Sequence, residues 1–78
     1  MDAVDSPVSG SLWEHIVDVG DVIEVGQVIS IVESMKMEIQ VSSNVAGTVH
    51  KILVNKGDQI TAGSAIAIID PEHTDRIT

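Results

Sequence analysis

Two methionines flank a lysine at Met35-Lys36-Met37, inside the run Glu33-Ser34-Met35-Lys36-Met37-Glu38. Apart from Met1, the chain has no other methionine. Two flexible apolar side chains around a cation make poor core and poor ordinary surface. They suit a grip that another protein takes on the lysine in order to modify it. Lys36 is then the group to be changed, Met35 and Met37 are the contact, and Glu33 and Glu38 are its near neighbours. Met37 has a second expected use, packing partly inward along its strand.

No other set of residues offers comparable chemistry. His15, His50 and His73 match no standard metal spacing, so no metal site is expected. Asp21 and Asp58 each follow a glycine and read as turn residues, not as a catalytic carboxylate pair. There is no cysteine, hence no disulfide framework and no thiolate metal site. With no nucleophile–base pair and no phosphate loop in view, the chain is not expected to be an enzyme.

The elements that must hold Lys36 follow from an internal repeat. Residues 8–33 align with residues 45–70 at a constant offset of 37, without a gap. All six glycines fall into pairs, Gly10 with Gly47, Gly20 with Gly57 and Gly26 with Gly63. Glycine serves turns and close approaches, so the two copies share their turns. Val-rich and Ile-rich runs predict strands near 10–17, 22–24, 28–33, 37–42, 47–54, 59–61 and 65–69, with a further one near 2–5. One copy is too small to bury its own face, so two must pack together. The expected fold is all-β, a small flattened barrel or sandwich with pseudo-two-fold symmetry.

Lys36 falls in the 11-residue join between the copies, Ser34 to Asn44, at a tight reversal between two strands. The hairpin then sits at one end and the chain termini at the other. Two-residue hairpin turns favour Asn-Gly or similar pairs because positive φ is required. A Met-Lys pair breaks that rule, as expected of a functional site. His15 aligns with Ile52 and is expected in a half-buried position. Trp13 is expected to be a partly buried packing residue, with docking as its alternative use.

Seventy-eight residues make one small domain, placed at 1–70, with a polar, frayed tail at 71–78. Twelve acids against four bases give a net charge of −8, which repels nucleic acid and anionic lipid. A single aromatic residue offers bases no stacking platform. No apolar run is long enough to span a bilayer and no signal peptide is visible, so a cytoplasmic location is expected. The charge and the internal symmetry favour a monomer.

These residues resemble a biotinyl domain, the biotin carboxyl carrier module of biotin-dependent carboxylases, within the biotin/lipoyl attachment family. The likeness covers roughly residues 6–70 and rests on Glu33-Ser34-Met35-Lys36-Met37, the Gly-Asp turns and the repeat. The family motif is Ala-Met-Lys-Met, usually after Glu; Ser34 stands at the Ala. Ser6-Pro7-Val8-Ser9-Gly10 stands where the family often has Ala-Pro-Met-Pro-Gly. There is no room for the thumb loop of some bacterial carriers. A Pro/Ala-rich linker is also missing, so the chain resembles a free-standing short carrier or an excised domain.

The resemblance implies covalent biotin on Lys36, attached by biotin protein ligase, which would recognise Met35 and Met37 with Glu33 and Glu38 nearby. It implies a swinging arm that carries carboxyl groups between biotin carboxylase and carboxyltransferase sites. A lipoyl carrier shares the fold and the hairpin lysine, but its tip usually reads Asp-Lys-Ala. An unmodified adaptor domain of the same fold is the third reading.

Overall fold

A computed structural model describes residues 1–71. The expected tail beyond Pro71, with His73, falls outside the described residues. Eight strands form: β1 (Asp2–Asp5), β2 (Gly10–His15), β3 (Val22–Ile23), β4 (Val28–Ser34), β5 (Met37–Ser42), β6 (Gly47–Ile52), β7 (Gln59–Ile60) and β8 (Ala65–Asp70). They build two four-stranded antiparallel sheets, β1-β8-β6-β3 and β5-β4-β2-β7. The fold is the expected all-β flattened barrel. β2 and β6 end two residues early, at His15 and Ile52, where the next amides leave the ladder for Ile29 O and Ile66 O.

The repeat extends further than its glycines indicate. β1 and β5 obey the same offset, since Val4 and Val41 are both buried. Ser6 and Ser43 are buried too, and each Oγ donates to the carbonyl two residues on, Val8 O and Val45 O, at 2.6 Å. The copies therefore run 2–33 and 39–70. The expected 11-residue join shrinks to Ser34–Glu38, the rest belonging to β5 and the turn after it.

The copies interlock. Each sheet has two inner strands from one copy and two edge strands from the other. Gly20 N donates to Val49 O, and its counterpart Gly57 N donates to Leu12 O, each at 2.8 Å. The Gly-Asp turns hold these crossings: Asp21 and Asp58 accept the amides of Asp18 and Asn55 on their carboxylates. These are turn roles, as expected.

Between the sheets lies a core of Val4, Leu12, Ile23, Ile29, Val32 and Val41 from around the first copy and the hairpin, with Val49, Ile60, Ile66 and Ile69 from the second. Each contributes about 1.5–3 kcal/mol relative to leaving the side chain in water. β-Bulges break the simple alternation in matched places. Trp13 and His50 are the extra residues of β2 and β6; Ile29 and Ile66 are those opposite β5 and β1. A bulge increases local twist, which helps short strands curl into a barrel.

Candidate functional site

β4 and β5 pair from Val28↔Ser42 to Ser34↔Met37, leaving Met35 and Lys36 as a two-residue turn. Both turn residues have positive φ, 51° at Met35 and 65° at Lys36. Among the described residues they are the only non-glycine residues so placed. Left-handed backbone costs a residue with a Cβ on the order of 1–2 kcal/mol, and no asparagine or glycine relieves it here.

Met35 is 92 % exposed and Met37 62 %, with Lys36, Glu33 and Glu38 exposed around them. The inward packing expected of Met37 does not occur. The Ser34↔Met37 and Glu33↔Glu38 rows have no counterpart in the β8–β1 pairing, which stops at Ile69↔Asp2. The hairpin overshoots the barrel, and there is no inner surface under Met37 to pack against. The structure thus gathers all five expected site residues on one projecting tip.

Glu33 and Glu38 sit directly across from each other one row below Ser34↔Met37. Like charges in opposed positions destabilise a sheet mildly. They leave the tip with a lysine over two carboxylates, a cation on an acidic stalk.

The stalk is held where it leaves the barrel. A Cβ on Gly10 would lie 2.1 Å from the Glu33 carbonyl oxygen. β4 crosses the backbone of Gly10 so closely that only glycine fits. Gly47 repeats the arrangement, its virtual Cβ lying 2.2 Å from the Asp70 carbonyl oxygen. The sequence shows the Gly10/Gly47 pair without this role. The available signal is that these glycines open strands and lack the following Asp of a Gly-Asp turn.

His15 is half-buried as expected, but its position is not apolar. Its Nε2 donates to Val54 O at 2.8 Å, and Nδ1 lies 2.7 Å from the buried Ser30 Oγ. The second copy has Ile52 and Ala67 at these places, which pair directly. A polar cross-link on one side answers an apolar contact on the other. Trp13 is more exposed than expected, at 43 %, because its bulge turns it out together with Glu14. No group of three or more metal-ligating side chains occurs among the described residues.

A protein-family profile described as "Biotin-requiring enzyme", covering biotin and lipoyl attachment, matches residues 2–69. The chain is 50 % identical over 40 residues to urea amidolyase of Saccharomyces cerevisiae, spanning 51 % of this chain and 2 % of that protein. It is 50 % identical over 38 residues to a biotin/lipoyl attachment protein of Bacillus subtilis, spanning 49 % of this chain and 52 % of the relative. Among solved structures it superposes on urea carboxylase of Kluyveromyces lactis with a TM-score of 0.84 and 36 % identity, over 88 % of this chain and 6 % of that one. It also superposes on a single-chain, multi-domain long-chain acyl-CoA carboxylase with a TM-score of 0.78 and 23 % identity, over 85 % of this chain and 7 % of that one, a likeness of fold. The chain thus spans about half of one curated relative and a small fraction of the other.

Proposed function

The chain belongs to the biotin/lipoyl attachment family, and on that premise we propose that it is a biotin carrier, biotinylated on Lys36 by biotin protein ligase. The observation that carries the proposal is the Met35-Lys36-Met37 turn, exposed at the end of a hairpin that overshoots its barrel. The site fits the group. An amide to biotin needs an accessible primary amine and no pocket around it, and Lys36 is exposed beside an almost fully exposed Met35.

The chemistry of loading is acyl transfer. The Lys36 amine, relieved of its proton by the ligase, attacks the activated carboxyl of biotinyl-adenylate. A C–N bond forms, the C–O bond to the phosphate breaks, and AMP leaves. The stiff turn presents Nζ to a deep site, while Met35 and Met37 supply apolar contact on both sides. Attached to Lys36, biotin would supply a ureido nitrogen able to carry a carboxyl group between a biotin carboxylase and a carboxyltransferase site. The domain's part is position: tethering raises the local concentration of the group at each site while the domain is docked. The likeness to urea carboxylase of Kluyveromyces lactis supports placing this chain with a biotin-dependent carboxylase. The absence of cysteine suits the reducing cytoplasm in which such enzymes would meet it.

The test is intact mass after incubation with biotin protein ligase, biotin and ATP. Gain of one biotinyl group, with none in Lys36→Ala, is expected. Gain with lipoate ligase alone would transfer the chain to the lipoyl carriers. No gain with either active ligase would make it an unmodified adaptor. Met35→Asp and Met37→Ala should slow labelling more than they lower stability.

A further inference from the structure

The two sheets share a backbone plan but wear different outer faces. On the sheet that carries the hairpin, the β2 bulge turns out Trp13 and Glu14 opposite the half-buried Ile31. Gln40 lies beside Ile31 on β5, and Glu33 and Glu38 continue the face toward the tip. On the other sheet the same places hold His50 and Lys51 opposite Ile68, with Ala3 beside it. One face is thus an exposed indole and an isoleucine rimmed by three acids. Its twin is smaller in side-chain area and carries a base where the first carries Glu14.

The backbone needs no tryptophan at the bulge, since His50 occupies the matched bulge. Tryptophan is a favoured anchor at protein interfaces. Size and reach set what it can touch. A stable protein contact covers about 800 Å² on each partner, a patch roughly 30 Å across. The Met35-Lys36 turn alone cannot supply that. Trp13 stands beside the Ile31 row, four residues from Met35 on β4, or roughly 13 Å down the hairpin at ~3.3 Å per residue. Any enzyme that must reach Nζ itself presses its surface within a lysine's length of the tip, and its footprint then runs onto one flank of the hairpin.

We propose that this flank is the face centred on Trp13 and Ile31, and that the ligase that modifies Lys36 docks there through an apolar recess bordered by Lys or Arg. Trp13 fills the recess, and Glu14 on the far side with Glu33 and Glu38 toward the tip meet the bases. The proposal rests on the biotin-carrier reading. Its charge pattern accounts for which flank is used: the opposite sheet would set Lys51 against a basic border. Trp13 is a positioning residue here, acting on the approach of Lys36 and not on the acyl transfer.

The experiment is steady-state biotinylation by biotin protein ligase of the full chain and of Trp13→His, Glu14→Lys and His50→Ala. Each substitution is checked by circular dichroism and thermal melting; the first two install residues that the matched bulge already tolerates. Trp13→His is expected to lower kcat/KM at least tenfold, through KM with kcat retained. Glu14→Lys should lower it about fivefold and weaken its dependence on ionic strength. His50→Ala should leave it unchanged. Rates for Trp13→His and Glu14→Lys within twofold of the parent would overturn the docking face while leaving the carrier reading intact. A fall in kcat alone, or an equal fall in His50→Ala, would also overturn it. Failure of the parent itself to be labelled would overturn both.

Discussion

The β4–β5 hairpin and the β8–β1 pair are the same structure used twice. Four rows of one map onto four rows of the other, from Val28↔Ser42 with Ala65↔Asp5 to Val32↔Ile39 with Ile69↔Asp2. Past that point the two part. The first continues for two more rows and closes through Met35 and Lys36, while the second is a pairing of strands from opposite ends of the sequence with no turn between them. Everything both pairs share is what the barrel needs. What only the hairpin has is what the barrel does not need, and that remainder is Ser34-Met35-Lys36-Met37-Glu38. On the biotin-carrier reading, the difference separates function from fold within one chain, using the second copy as the reference.

Lys36→Ala should make the largest break in this comparison, removing all labelling while the melting temperature stays within a degree or two; mass spectrometry and calorimetry together decide it. Substituting the crossing glycines comes next. Gly10→Ala and Gly47→Ala should each cost about 1–3 kcal/mol by forcing backbone apart, but only Gly10→Ala should also slow labelling, because its clash is with the base of the stalk. Equal labelling in both variants would show that the stalk does not need its anchor.

A smaller effect is expected at the polar cross-link. His15→Ile alone should cost about 1–2 kcal/mol by leaving the Ser30 hydroxyl unpaired. His15→Ile with Ser30→Ala copies Ile52 and Ala67 and should recover the share of that loss that belongs to Ser30, with Val54 O still lacking its donor; a double-mutant cycle in urea showing simple additivity would refute the coupling. The smallest effect should be a gain. Met35→Asn relaxes one left-handed residue and should stabilise by up to about 1 kcal/mol, while labelling falls because half of the proposed grip is gone. An Asn variant that is both more stable and equally well labelled would mean that the strained turn has no bearing on recognition.

The repeat, the all-β class and the tip were legible because glycine pairs and Met35-Lys36-Met37 are sparse, specific signals. The full length of the repeat was not. β1 is an edge strand with one buried side chain, Val4, so only Val4/Val41 and Ser6/Ser43 mark the match, amid unlike neighbours such as Asp2/Ile39 and Ala3/Gln40. The inward alternative for Met37 fails because alternation gives a side without saying whether that side still has a core beneath it. Trp13 is more exposed than its pattern indicates because the bulge shifts the alternation at a residue that no sequence signal marks. His15 reads as an intruder among apolar residues until Ser30 and Val54 O are seen around it. Their partnership spans both copies, and no local window contains it.

The interlocking of the copies bears on the order of events in synthesis. The β4–β5 hairpin can close as soon as Ser42 has been made, but β2 gains its outer neighbour β7 only after Ile60, and β1 gains β8 only at the end of the domain. Almost every pairing outside the hairpin joins residues far apart in sequence, a pattern that slows folding relative to helical domains of similar size. A growing chain can therefore bring Lys36 into a hairpin, itself marginal alone, before there is a barrel to hold it. A ligase that also reads the body of the domain would leave such unfinished chains alone and load only those that have folded.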